Sequence, residues 1–313
     1  MSFQPLFRKF HEKIQLNQDD EYAGLREKRE RVLARLREGL RASKLTFEWF
    51  NQGSYAIGTG IKPVNGDYDI DIGIVLNEVY MDEHDPVEVK GWIYRAVEGH
   101  TQRVEWRRPC ITVFYQQAGE TVYHVDLAVF AKKKHHHGSY LAIGKQHSSK
   151  EQREWQLDDR KSFMEAIDTR FSGEDKFQFR RVIRYLKRWR DVYFSGQGYA
   201  APTGLSLTVA AYQWFRPAHD RSGNYDDLRA THELIRSILQ SFTQHWKGTE
   251  SVYRLSLRFP NAPHDDVFER MTDQQMQEFR QRLQKLDEWL AEAQRSGDAS
   301  VLRRAFGPDF PES

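Results

Sequence analysis

The sequence predicts an α+β fold in two lobes, with a mixed β-sheet and a long amino-terminal helix in front and an all-helical lobe behind. Three observations carry that reading. Apolar residues recur at helical spacing near the amino terminus. They then alternate with polar residues in three β-rich runs, and from about residue 151 the helical period returns and persists. With 313 residues, 39% hydrophobic and 13% aromatic, the chain can fill two cores and is too apolar to remain disordered.

Over residues 21–42, Tyr22, Leu25, Val32, Leu33, Leu36 and Leu40 mark one face of a long amphipathic helix. Phe47 to Phe50 form a short aromatic, strand-like run. Residues 70–76 set Ile70, Ile72, Ile74 and Leu76 on one side of a strand. Two further β-branched and aromatic runs, 110–115 and 122–130, are joined through a turn at Ala118, Gly119 and Glu120. Helical stripes follow at 174–194 (Phe179, Val182, Ile183, Leu186 and Trp189), 203–215, 226–246 and 272–295. The expected division puts the first helix and the sheet core in residues 1–165 and the helical lobe in 166–313, with a cleft between them. The final segment FGPDFPES, rich in proline, is expected to be flexible.

Composition removes several function classes. A single cysteine, Cys110, excludes a disulfide framework and a zinc site built on paired cysteines, and suits a reducing cytoplasm. No apolar run approaches 18 residues, and MSFQPLFRKFHEK lacks the apolar core of a signal peptide, so neither a membrane span nor secretion is expected. Lys and Arg number 47 against 45 Asp and Glu, a balance unlike that of a nucleic-acid coat. Yet Arg180, Arg181, Arg184, Lys187, Arg188 and Arg190 crowd one segment. One reading of that cluster is an RNA-binding helix with a steep salt dependence. The run 132–137 (KKKHHH) reads as an exposed loop, because three adjacent histidines rarely face one ion.

The most informative stretch is 51–77, NQGSYAIGTGIKPVNGDYDIDIGIVLN. If 69–76 is a strand, Asp69 and Asp71 share the side opposite the isoleucines, their Cα atoms roughly 7 Å apart. On the strand 122–130, Asp126 and His124 likewise oppose the apolar face of Tyr123, Val125, Leu127 and Val129. A carboxylate within an apolar strand is costly to bury unless it is paired, hydrogen-bonded or metal-bound. Three of them on neighbouring strands can hold two divalent ions about 4 Å apart for displacement at phosphorus. Two other readings exist. Asp67, Asp69 and Asp71 open a calcium-loop spacing that ends at Glu78, but Ile72 occupies the position that needs glycine. A wet outer face of an edge strand is the second. Upstream, Gly53 lets backbone approach a phosphate and Ser54 can donate from hydroxyl and amide. Sixteen residues separate Gly53 from Asp69, room for a short helix and a turn at Asn65-Gly66.

This order, Gly-Ser, helix, Asp-x-Asp on a strand and a later third acid, resembles the DNA polymerase β-type nucleotidyltransferases. QGSY, KPVNGDYDIDIGIVL, PTGLSLTVAAY and the long first helix are similar to the bacterial CD-NTases, relatives of cyclic GMP-AMP synthase, over nearly the whole chain. The resemblance implies a nucleotidyltransferase core with Asp69, Asp71 and Asp126 as catalytic ligands of two Mg²⁺ ions, Mn²⁺ being able to substitute. It implies that Gln52, Gly53 and Ser54 bind the donor nucleotide. Lys187, and Ser206 nineteen residues on, match the lysine and serine that grip the triphosphate. Lys187 stands beside the apolar stripe of its helix, and Ser206 in the first turn of a helix opened by Pro202-Thr203. One position departs from the animal enzyme: Leu207 stands where an aromatic stacks on a base, which leaves Tyr55, Tyr199 and Tyr212 as stacking candidates. The resemblance further implies NTP substrates, a cyclic di- or trinucleotide product read by a separate effector in antiphage (CBASS) signalling, CBASS accessory proteins as further partners, and a bacterial cytoplasmic location. No membrane and no stable nucleic-acid partner are expected. Within the superfamily, the rival is transfer of a nucleotide to an RNA end or small acceptor. Some CD-NTases are conjugated through their carboxyl end by a ubiquitin-transfer-like partner.

Overall fold

The computed structural model describes residues 2–16, 21–64, 68–117, 120–136, 138–194, 201–261 and 263–312. The expected turns at Asn65-Gly66 and Ala118-Gly119, and Asp67, Tyr199 and His137, lie outside these residues, as does the side chain of Tyr22.

The 3.6-residue pattern near the amino terminus becomes helix α2 (Glu21–Leu40), which buries Leu25, Val32, Leu33, Leu36 and Leu40 completely or nearly so. It crosses α4 (Pro86–Val97) at close range, where a Cβ on Gly39 would meet the Ala96 Cα at 2.6 Å. Both helices cover one face of a seven-stranded mixed sheet. The strands are β1 (Phe47–Gln52), β2 (Tyr68–Tyr80), β3 (Arg103–Trp106), β4 (Ile111–Gln117), β5 (Glu120–Lys132), β6 (Ser139–Ile143) and β7 (Glu154–Leu157). Their order is β1-β2-β5-β4-β3, and β6 and β7 extend from the far end of β5. Only β2 and β5 run parallel among these pairs; the other pairs are antiparallel. Strict alternation sends Ile70, Ile72, Ile74 and Leu76 into the core under the helices, and Asp69, Asp71, Gly73 and Val75 to the other face.

The second core is helical. It joins α1 (Gln4–Ile14), α5 (Arg160–Thr169), α6 (Gly173–Tyr193), α7 (Gly204–Trp214), α8 (Asp227–Gln240), α9 (Asp273–Ser296) and α10 (Ala299–Phe306). Phe7, Phe10 and Ile14 of α1 are fully buried there, so the first helix packs with the back lobe. Phe163 and Ile167 of α5 do likewise.

The expectation of an all-helical back half needs correction. Helix α8 stops at Gln240, and β8 (Thr243–Lys247) and β9 (Glu250–Arg254) form a hairpin where the sequence pattern predicts helix through residue 246. Gly248, at φ +64°, supplies the turn, and the Thr, Trp, Val and Tyr around it favour strand. The tail is not loose up to Phe310 either. Phe310 is fully buried against Phe7, Phe10 and Phe306, and Asp309 lies 3.3 Å from Lys13 Nζ. No helix among the described residues is long and apolar enough to cross a membrane.

Candidate active site

Strand pairing brings the acids together. Gln52 of β1 is opposite Asp71 of β2, Asp71 is opposite Asp126 of β5, and Asp69 is opposite His124. Paired residues on neighbouring strands lie about 5 Å apart, so Asp126 is within reach of a centre shared with Asp69 and Asp71. The chain leaves β1 through Gly53 into α3 (Gly53–Ala56). Gly53 has φ +62°, and a Cβ there would sit 1.9 Å from Asp71 Oδ2, so only glycine lets this loop lie on the carboxylate.

Asp126 accepts a 2.6 Å hydrogen bond from Thr112 Oγ1, supplied by the buried residue opposite it on β4. His124 Nε2 lies 3.2 Å from Asp69 Oδ1. Ligand atoms of Asp69, His124 and Asp126 lie within 4.8 Å of one another, the one such His/Asp/Glu/Cys triplet among the described residues. The sequence pattern puts His124 on the acidic face but gives it no role; its pairing across to Asp69 depends on the register.

The electrostatics describe a site built for positive charge. Burial, then the charges of Asp69 and Asp126, push the Asp71 carboxyl up to about 8. Burial also raises Asp126, and the neighbouring Asp69 adds to it, against the Thr112 bond that favours the ionised form. Carboxylates that repel one another and offer only acceptors match the oxygen donor set of a hard divalent cation, so the residues fit Mg²⁺. Gln52 adds a second sign of an incomplete site. It is buried, both of its amide atoms lack a hydrogen-bond partner, and it lines the cavity beside Gly53.

That cavity, of about 460 Å³, lies between the lobes. Gln52, Gly53, Ser54, Asp69 and Asp71 form one wall; Lys187, Arg190, Gly204, Leu205 and Thr208 form the other. Tyr68, Phe163 and Phe259 add aromatic surface, and the two phenylalanines meet edge to face at 5.2 Å. Sequence patterning misses these rings, because Phe259 lies in a loop with no periodicity. Two of the aromatic candidates it offers stand elsewhere. Tyr55 packs against the sheet core and Tyr212 against the helical core under Arg170.

The basic cluster of α6 is turned inward. Arg184 donates to the Gly58 carbonyl at 2.5 Å and the Gly60 carbonyl at 3.2 Å, and Lys187 to the Thr59 carbonyl and hydroxyl at 3.1 Å. Arg188 donates to the Lys62 carbonyl at 2.7 Å. On the next face Arg181 makes a bidentate pair with buried Asp227, at 2.7 and 2.9 Å. With Arg180 paired to Asp168 and Arg190 to Asp191, the cations of the run are engaged within the protein rather than spread as a free RNA-binding face. Burial and the neighbouring Arg190 and Arg184 push the Lys187 amine down to about 7.

Ser206 is placed differently from its expected neighbours. It caps inward: its hydroxyl donates to the Thr203 carbonyl at 2.8 Å, its amide to Thr203 Oγ1 at 2.9 Å, and it is fully buried. The residues of α7 that line the cavity are Gly204, Leu205 and Thr208. Leu207 is fully buried. His135 and His136 are exposed in the 133–136 turn.

Residues 47–130 match the family model of the cyclic GMP-AMP synthase DncV-like nucleotidyltransferase domain. That matched segment contains Gly53, Ser54, Asp69, Asp71 and Asp126. The whole chain is similar in fold to solved structures of low identity. The Bradyrhizobium diazoefficiens CD-NTase CdnG in complex with GTP superposes with a TM-score of 0.75 at 16% identity, over 96% of this chain and 94% of that one. Vibrio cholerae DncV in its 3′-deoxy GTP bound form gives 0.71 at 17%, over 97% and 96%. Escherichia coli DncV in its 3′-deoxy GTP bound form gives 0.67 at 16%, over 95% and 93%. The bilobed α+β arrangement is therefore that of DncV and CdnG.

Proposed function

We propose that this nucleotidyltransferase joins NTPs without a template, releases pyrophosphate and closes the product into a cyclic di- or trinucleotide, a second messenger of bacterial antiphage (CBASS) signalling. A separate effector reads that product in the cytoplasm, with CBASS accessory proteins as further partners. The observation that carries the reading is the pairing of Asp71 with Asp126, with Asp69 and Asp71 lining a cavity whose opposite wall holds Lys187. Vibrio cholerae DncV, a cyclic AMP-GMP synthase known in complex with the linear intermediate 5′ pppA(3′,5′)pG, has the same fold at a TM-score of 0.67 and 16% identity.

Asp69, Asp71 and Asp126 would hold two Mg²⁺ ions, or Mn²⁺ in their place, which supply positive charge to the attacking hydroxyl and the departing pyrophosphate. Asp126, with its raised pKa, is the residue suited to take the proton from the acceptor ribose hydroxyl. Gln52, Gly53 and Ser54 bind the donor nucleotide, the unpartnered Gln52 amide finding its acceptor there. Lys187 meets a triphosphate whose negative charge restores its proton and grips the phosphates from the far wall. Ser206 joins them only by turning its hydroxyl away from Thr203. Positioning and charge stabilisation carry most of the rate.

The test is mass analysis of products from all four NTPs with Mg²⁺ and with Mn²⁺. A phosphatase-resistant product with released pyrophosphate is expected, and it should vanish in Asp69→Asn and Asp71→Asn. A phosphatase-sensitive linear product would move the reading to end-addition or small-acceptor transfer. Turnover unchanged in the Asn variants would overturn the assignment of the acids.

A further inference from the structure

We propose that His124 supplies a nitrogen ligand to the cation beside Asp126, and thereby tilts the site from Mg²⁺ toward Mn²⁺ and related first-row transition ions. The inference rests on the two-cation reading above and deepens it.

The register creates the arrangement. Residues 124 and 126 project from the same side of β5, and the parallel partner β2 sets Asp69 across from His124 and Asp71 across from Asp126. Four residues therefore sit at the corners of a square across the two strands, and one corner is an imidazole. Its Nε2 lies 3.2 Å from Asp69 Oδ1, and the ligand atoms of Asp69, His124 and Asp126 all fall within 4.8 Å of each other. Two ligands at about 2.1 Å from one ion stand roughly 3.0 Å apart when adjacent and roughly 4.2 Å apart when opposite. The 3.2 Å pair already matches two adjacent ligands of one ion, and side-chain rotation can bring the third donor in from within 4.8 Å. The ring is held for it: His124 packs at 5.8 Å from the Phe114 ring, and only 14% of its side chain is exposed.

The donor set decides the preference. Mg²⁺ takes oxygen and keeps its waters, whereas imidazole suits Mn²⁺, Fe²⁺ and Co²⁺ progressively better. A site of carboxylates alone has little means of separating Mg²⁺ from Mn²⁺. One with a nitrogen corner does. The competing structural role for His124 is a hydrogen bond that only orients Asp69, and it leaves no nitrogen on the ion.

Pulsed EPR of Mn²⁺ bound to the full-length protein separates the two. Wild type is expected to show ¹⁴N modulation of the Mn²⁺ echo that disappears when the histidines are labelled with ¹⁵N, a readout that needs no substitution. In His124→Gln, which retains a donor toward Asp69, the ¹⁴N modulation is lost. The preference for Mn²⁺ over Mg²⁺, measured by competition, falls about tenfold. Bound Mn²⁺ without nitrogen modulation, or an unchanged preference in His124→Gln, overturns the assignment of His124 and leaves the acids' role standing. Absence of any Mn²⁺ binding by wild type, with Asp126→Asn behaving identically, overturns the two-cation reading and this inference together.

Discussion

Replacing Asp71 by Asn is expected to abolish nucleotidyl transfer while making the metal-free protein more stable. The Asp71 carboxyl is raised from 3.8 to about 8, first by burial and then by Asp69 and Asp126. A raised carboxyl pKa means the folded state binds more protons than the unfolded chain between those values. Stability is therefore fully present below the lower value and is lost as pH rises toward the higher one. Asparagine mimics the protonated form and escapes that loss. A shift of about four units at 1.36 kcal/mol each sets a ceiling near 6 kcal/mol above pH 8. Side-chain rotation and water entry screen such repulsion, so about 2–3 kcal/mol is the expected gain. For a chain of this size that is roughly 4–8 °C in melting temperature.

The assay is thermal unfolding of wild type and Asp71→Asn in EDTA at pH 5 and pH 8.5. The Asn variant should melt higher, by more at pH 8.5 than at pH 5. Added Mg²⁺ or Mn²⁺ should then raise wild type more than the variant, because a cation relieves the same repulsion. Equal melting at pH 8.5, or a gap that narrows as pH rises, would refute the electrostatic reasoning behind the site.

Other substitutions test the neighbouring parts. Asp227→Ala leaves the buried Arg181 guanidinium without its bidentate carboxylate, and urea unfolding should show a loss of about 3–5 kcal/mol. Phe310→Ala opens a cavity among Phe7, Phe10 and Phe306, and should cost about 3–5 kcal/mol in the same measurement if the tail is seated as described. Gly53→Ala forces a left-handed backbone on alanine and drives its Cβ into Asp71. Steady-state kinetics should show kcat falling at least tenfold, with stability reduced by only about 1–2 kcal/mol. Gln52→Leu removes an amide that has no partner in the ligand-free protein, so stability should hold or rise by about 1 kcal/mol, while NTP affinity by equilibrium binding falls about tenfold.

What the sequence made legible was whatever period and local chemistry specify. Alternation of isoleucine with aspartate in β2 announces both the strand and the acidic face, and the stripe from Phe179 to Trp189 announces α6. Helical periodicity misleads where strand and helix signals overlap, as at Thr243 to Lys247, whose β-branched and aromatic residues follow directly on a true helix. The tail misleads because proline content speaks for local stiffness and says nothing of Phe310, whose burial depends on α1 some three hundred residues away. Ser206 shows the limit for site residues. Its position in a first turn is legible, but whether a first-turn hydroxyl faces a ligand or its own cap residue depends on a rotamer, and Thr203 offers an acceptor at hand. His124 needs the β2–β5 register, a long-range fact that no local window contains.

The inward turn of the α6 cations bears on how the two lobes act as one enzyme. Lys187 and Arg188 stand three and four residues after Arg184, next to it on the helix surface, and all three end on carbonyls of residues 58–62. That segment follows directly from Gly53 and Ser54, and Thr59 donates its amide to the Ser54 carbonyl at 2.9 Å. The 58–62 loop of one lobe is therefore fastened to the central helix of the other by hydrogen bonds with charged donors, the strong kind. Arg181, three residues before Arg184 on the same helix, ties α6 to the helical core through Asp227. A helix tied in this way both to the 58–62 segment and to α8 transmits displacement rather than absorbing it, so any closure of the helical lobe on a bound triphosphate should carry Lys187 and the 58–62 segment together. It follows that Arg184→Ala, which removes no wall of the cavity, should raise KM for NTP by more than its effect on melting temperature would suggest. A lowered melting temperature with KM unchanged, measured well below melting, would mean the fastening serves stability alone.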